Sequence, residues 1–178
     1  MSKIGRKPIE LHSVKVEVKG QEVHYKGAHA TGVHIVPDEL TIKLTEKTIQ
    51  LLAKKMDRNS KRLWGLHRAL LAGKITGAYK PFERQVRITG LGYKAVSSAK
   101  SVEFSLGFSH KINFDLPEGV TVDVDKTGQI VTVKSANKEL VGQVCGKFRL
   151  LKPTEPYKGT GIQVEGDVII RKAGKAKA

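Results

Sequence analysis

The residues best equipped for chemistry lie near the end of the chain, in Pro153-Thr154-Glu155-Pro156-Tyr157-Lys158-Gly159-Thr160-Gly161. Two prolines fix φ and stiffen the start of this segment. Gly159 and Gly161 flank Thr160 and open backbone conformations closed to other residues. Bare N–H groups there can approach phosphate oxygens. Lys158 adds charge, and Tyr157 offers a flat face to a sugar or base. Taken alone, the same residues also read as a turn leading into a strand at Ile162. The surroundings favour the phosphate reading. Lys147, Arg149, Lys152, Lys158, Arg171, Lys172, Lys175 and Lys177 cluster in this part of the chain, and clustered cations are what a phosphate-binding surface needs. The residues after Arg171 alone also fit a solvated basic tail.

Catalytic constellations are weaker. Gly73-Lys74-Ile75-Thr76 hints at a phosphate-binding loop, but Arg68 occupies the place of the required first glycine. The spacing also puts this segment at the end of a helix instead of its start. Gly90-Leu91-Gly92 is half of a dinucleotide fingerprint, and a strand follows it where a helix is needed. His24, His29 and His34 are five apart, which suits neither one helix face nor one strand face. Asp123 and Asp125 share a strand face and read as solvent-facing. Cys145 lies on an apolar helix stripe as a small core residue. No enzyme, cofactor, metal or small-molecule substrate is implied.

Composition points the same way. The chain has 178 residues, 39% of them hydrophobic, and a net charge of +15. A polycation of this kind suits a polyanionic partner. No apolar run is long enough for a membrane span, and none follows Lys3, Arg6 and Lys7 to make a signal peptide. One cysteine excludes an internal disulfide and fits a reducing cytoplasm. Residues 1–80 carry a net +9, residues 81–146 a net +1 and residues 147–178 a net +5. With only ten aromatics, the chain lacks the stacking surface of a single-strand binder, so folded RNA read by shape, phosphate and 2′-hydroxyl is the better fit.

Two similar units must position these groups. VPDELTIKL from Val36 matches LPEGVTVDV from Leu116 at an offset of 80, and SKRLWG from Ser60 matches NKELVG from Asn137 at 77. Val14, Val16 and Val18 alternate with Lys15, Glu17 and Lys19, which predicts a half-buried strand. Gly20-Gln21 turns the chain back through Val23 to Tyr25. Further strands are expected at 32–36, 40–44 and 49–52, then a helix capped by Asn59 or Ser60 and ending near Gly73. The second half repeats the scheme. Strands are expected at 86–89, 93–97, 102–106, 112–114, 120–124 and 130–133. A helix follows Asn137, carries Leu140, Val141, Val144, Cys145, Phe148 and Leu151 on one stripe, and stops at Pro153. The expectation is an α+β fold of two tandem units, residues 1–81 and 82–178, each a small antiparallel sheet covered by one helix. Lys54, Lys55, Arg58, Lys61, Arg62 and Arg68 make a second basic surface around the first helix. Trp64 aligns with Val141 and reads as a packing residue.

Pro156 to Ile162, PYKGTGI, resembles the signature of the large-subunit ribosomal protein six family, usually PYKGKGI. SKIGRKPIEL at the start, LHRALL from Leu66, GLGYKA from Gly90, LGFSH from Leu106, LPEGVTV from Leu116, KELVGQV from Lys138 and the closing IIRKAGK follow the family's order in its bacterial form. The resemblance implies two similar α+β units. It also implies binding to large-subunit ribosomal RNA near the factor-binding, sarcin–ricin region, with other ribosomal proteins as neighbours and translation factors close by. Tyr157, Lys158, Gly159 and Gly161 take the RNA-contacting role from the signature, and Gly90, Gly92, Tyr93 and Lys94 match a loop that lies near RNA. Thr160 stands where a lysine is usual, so one phosphate contact loses its charge. The candidate RNA-binding set is Lys3, Arg6, Lys7, Lys94, Arg149, Lys152, Tyr157, Lys158, Gly159, Thr160, Gly161, Arg171, Lys172 and Lys175. A free-standing basic nucleic-acid-binding regulator is the alternative.

Overall fold

The computed structural model describes residues 3–55, 57–98 and 100–174. Six short strands come first: Ile9–Glu10 (β1), Lys15–Lys19 (β2), Glu22–Lys26 (β3), Thr31–Ile35 (β4), Leu40–Leu44 (β5) and Thr48–Ala53 (β6). The helix Arg58–Tyr79 (α1) follows. Then come Phe82–Thr89 (β7), Lys94–Ser97 (β8), Ser101–Ser105 (β9), Ile112–Asp115 (β10), Val120–Val124 (β11), Ile130–Ser135 (β12), the helix Lys138–Leu151 (α2) and Gly161–Val164 (β13). All these strand pairings are antiparallel, giving an α+β fold. Two compact units result: residues up to Pro81 with Ala136–Lys138, and Phe82–Ser135 with the residues from Glu139 onward.

Each unit divides its strands between two sheets. The first unit holds β1-β6-β5 and β2-β3-β4; the second holds β11-β12-β7-β13 and β10-β9-β8. The connectivity is the same in both, with β7 taking the place of β1. The agreement extends to single hydrogen bonds. Leu40 N–H donates to the Pro37 carbonyl (3.0 Å), and Val120 N–H donates to that of Pro117 (3.3 Å). Leu40 pairs with Ala53 and Val120 with Ser135, at the two ends of matching hairpins. The second unit differs by the addition of β13, which pairs along β7 from Gly161↔Thr89 to Val164↔Val86.

Alternation decides which side chains enter the cores. Ile49 and Leu51 on β6 are buried, as are Val131 and Val133 on β12. Trp64 packs in the first core, and its indole N–H donates to the Leu51 carbonyl at 2.7 Å. In the second core Phe148 meets Phe104 and Phe114 edge-on, both at 4.9 Å between centroids. Cys145 is fully buried beside it, and burial pushes its thiol pKa up.

The first helix departs from the expected bounds. It starts at Arg58, with Asp57 instead of Asn59 or Ser60 at the cap position, and runs past Gly73 to Tyr79. Leu71, Ile75 and Ala78, spaced by four and three, keep facing the core and are fully buried. Their burial outweighs the roughly 1 kcal/mol that an internal glycine costs a helix. Pro81 then forbids another turn. Gly73-Lys74-Ile75-Thr76 is therefore mid-helix, where phosphate-binding geometry is unavailable.

One polar feature of the first core is absent from the sequence expectations. His34 on β4 is buried, and its Nδ1 lies 3.2 Å from Lys74 Nζ. An ammonium cannot accept, so Nδ1 is the acceptor and Nε2 carries the proton. That proton is donated to His67 Nδ1 at 3.2 Å. Burial, then Lys74 and then His67 hold the His34 pKa down at about 4.

The unfolded chain therefore protonates this histidine first as pH falls. Its contribution to stability is complete above pH ~6.5 and is lost between there and about 4. Urea titrations across that range should show stability falling with pH, and His34→Gln should remove about one proton from the slope. Phe148→Ala should cost about 3–5 kcal/mol in the same assay. Leu150→Ala, on the solvent-facing side of the same helix, should stay within about 0.5 kcal/mol of the parent.

Candidate nucleic-acid interface

The glycine loop spans the gap between α2 and β13. Helix α2 ends at Leu151 because Pro153 cannot continue it. The loop is then closed on itself by backbone bonds. Ile162 N–H donates to the Lys152 carbonyl (2.8 Å), Glu155 N–H to Thr160 (2.8 Å) and Gly159 N–H to Glu155 (2.9 Å). Gly161 turns with φ 135°, and a Cβ there would stand 2.7 Å from the Pro153 carbonyl oxygen. Gly159 has φ 72° and sits under the Arg171 guanidinium, whose Nη2 would be 3.0 Å from an added Cβ. Both glycines thus have a structural necessity that the expectation of conformational freedom only outlined.

The segment after β13 braces the loop. Lys172 N–H donates to the Pro156 carbonyl at 2.9 Å. Arg171 and Lys172 are thereby carried to the loop with their side chains exposed. Tyr157 and Lys158 form the exposed tip. Lys152, at the base, places Nζ 4.5 Å above the Phe108 ring. Arg149 on α2 pairs with Asp167 at 3.4 Å. The structure therefore joins Arg149, Lys152, Tyr157, Lys158, Gly159, Thr160, Gly161, Arg171 and Lys172 into one continuous feature. Lys175 lies outside the described residues.

Two of these groups are engaged within the protein. The Thr160 hydroxyl, expected to face phosphate, donates to the Glu155 carboxylate at 3.1 Å. Arg149 shares its charge with Asp167, which also accepts from Val164 N–H at 3.4 Å. Neither acid carries a local sequence signal for this role: Asp167 is far from Arg149 along the chain. Phe108 was likewise invisible as a partner of Lys152.

The family model described as Ribosomal protein L6 matches residues 89–165, from the end of β7 through the loop and β13. Curated relatives match almost end to end. The large ribosomal subunit protein uL6 of Paracoccus denitrificans is 36% identical over 99% of this chain and all of its own length. That of Campylobacter fetus is 39% identical over 98% of each chain, and that of Brucella melitensis 37% identical over 99% of this chain and all of its own. The chain belongs to the ribosomal protein L6 family. The family is a structural component of the ribosome and not a class of enzymes.

The remaining residues of interest fit that family setting. Lys94 is exposed at the start of β8, in the other sheet of the second unit. Gly90 and Gly107 make room for the Tyr93 ring, which an added Cβ would approach to 2.4 and 2.9 Å respectively. Those glycines therefore serve packing. Lys3, Arg6 and Lys7 are exposed in the first unit. Arg68, expected on a basic surface, instead ties down the start of the chain, donating to the carbonyls of Lys7 (3.1 Å) and Pro8 (3.0 Å). Asp123 pairs with Lys134 at 3.0 Å, and Asp125 accepts from the Thr127 hydroxyl, which holds its carboxyl below the usual range.

Gly161→Ala should be the most damaging single change in the loop. It combines about 1–3 kcal/mol of backbone strain with a clash against rigid backbone. Gly159→Ala meets only the flexible end of Arg171 and should cost less. Thermal and urea unfolding of the two variants should rank them in that order; equal losses would contradict the geometry.

Proposed function

We propose that this chain is a structural, non-catalytic constituent of the large ribosomal subunit, holding folded large-subunit ribosomal RNA on the loop between α2 and β13. The single observation that carries this reading is the braced loop itself. Lys158 and Tyr157 project from a tip that the buried Gly159 and Gly161 let close tightly, and Arg171 and Lys172 are fastened beside it. Phosphate contacts fix position and supply most of the affinity, while the tyrosine face adds stacking. Full-length relatives named as large-subunit proteins support the assembly.

Lys3, Arg6, Lys7 and Lys94 add phosphate contacts outside the loop. Placement at the factor-binding, sarcin–ricin side, with translation factors nearby, draws its support from the PYKGTGI signature alone. Other ribosomal proteins are the natural protein neighbours, and the ribosome in the cytoplasm is the location.

The test is binding of the purified chain to large-subunit ribosomal RNA over a range of salt. Lys158→Ala should weaken binding and reduce the salt slope by about one unit. Thr160→Ala should change the slope little, because its hydroxyl already serves Glu155. An unchanged slope for Lys158→Ala, or equal affinity for generic duplex and ribosomal RNA, would contradict the proposal and favour a free-standing regulator.

A further inference from the structure

A strained turn in the first unit sets an aromatic ring on the surface. Leu11 and Val14 are both buried, and only His12 and Ser13 lie between them. The chain must therefore turn within two residues. Val14 N–H donates to the Leu11 carbonyl at 2.9 Å, and Leu11 N–H is itself held by the Lys47 carbonyl at 3.0 Å. His12 takes the first central position with φ 47°, a left-handed backbone that glycine adopts freely. Among the described residues it is the one non-glycine residue with positive φ. Glycine would serve the turn better, so what the histidine adds is its ring.

That ring stacks on Tyr79, with centroids 4.9 Å apart and planes 20° from parallel. Tyr79 is the last residue of α1 and takes no part in the first core. It is 46% exposed, and His12 is exposed as well. The helix end beneath them is pinned. His29 N–H donates to the Ala78 carbonyl at 3.1 Å and Lys80 N–H to that of Thr76 at 2.8 Å, while Gly27 lies so close to the Ala78 carbonyl that a Cβ would not fit. Both rings are thus placed in advance, and little freedom is lost when a further layer joins the stack. Aromatic surface left in water suits a flat ligand with a π face. One ring pair is too little for a single-strand binder, but it fits one base splayed out of a folded RNA. Lys80, exposed and next in the chain, offers a cation to the phosphate of that nucleotide.

We infer that the exposed His12–Tyr79 pair stacks one unpaired nucleobase of the RNA. This deepens the proposed RNA-binding function and rests on it for the source of the base. It gives the first unit a base contact, different in kind from the phosphate contacts proposed for the glycine loop.

The full chain, with and without Lys158→Ala, should be titrated with short oligouridylate and with an abasic ribose-phosphate oligomer of the same length, while NMR follows the His12 and Tyr79 ring signals. Both rings should shift with oligouridylate in both backgrounds and stay in place with the abasic oligomer. Tyr79→Leu keeps an apolar helix former and removes the π face; it should lower affinity at this site by about tenfold. His12→Gly should do the same while leaving the fold intact, because glycine suits φ 47°. Tyr79→Phe should bind like the parent. Unmoved rings alongside shifting Lys158–Gly161 amides would overturn this inference and leave the loop proposal standing. Ring shifts with none at the loop would do the reverse. Equal ring shifts with the abasic oligomer would show attraction to phosphate alone and overturn the stacking. Parent affinity in a folded His12→Gly or Tyr79→Leu chain would remove the ring from the site and overturn the proposal.

Discussion

The proposed interface depends on one backbone constraint, the pairing of β13 along β7. That register fixes Ile162, whose N–H reaches back to Lys152 and shuts the loop at its base. With the base shut, Gly161 has room only for hydrogen against Pro153 and Thr154. The tip is then short, stiff and outward, with little conformational entropy to lose on meeting RNA. The proposed RNA contact by Lys158 and Tyr157 draws on that stiffness as much as on their own chemistry. If β13 slipped by one residue, each of its side chains would change face and the loop would lose its closure.

Comparison of the two similar units shows where this arrangement is placed. The two units share connectivity, matching hairpins and the turn that opens β5 and β11. The second unit adds β13, and the glycine loop is the connection that reaches it. In the first unit β1 is a two-residue strand, and Arg68 occupies the carbonyls of Lys7 and Pro8 beside it. The candidate RNA feature therefore sits on the element by which one copy differs from the other.

Much of this was legible in the sequence because periodicity and turn residues are local signals. The strands at 40–44 and 120–124 follow from alternating apolar and polar residues, and the loop from its prolines and glycines. The end of α1 was not, because Gly73 is a local stop signal overruled by the burial of Ile75 and Ala78 across the core. The division of each unit into two sheets is likewise a tertiary choice. At the loop, residue types suggested phosphate contact as an expectation and gave no sign of the bracing. Arg171 over Gly159, Arg149 with Asp167, and Thr160 turned inward to Glu155 all depend on pairings between distant or competing groups. The histidine relay was hidden for the same reason, since His34, His67 and Lys74 meet only when β4 packs on α1.

The most direct test of the central claim is the reactivity of Lys158 toward an amine-acylating reagent, read by mass spectrometry on the free chain and on the assembled large subunit. Lys158 should be modified readily in the free chain and protected in the subunit, with an exposed lysine such as Lys19 as the internal comparison. Equal modification of Lys158 in both states would show that the tip meets no RNA and would contradict the reading of the loop as the principal contact.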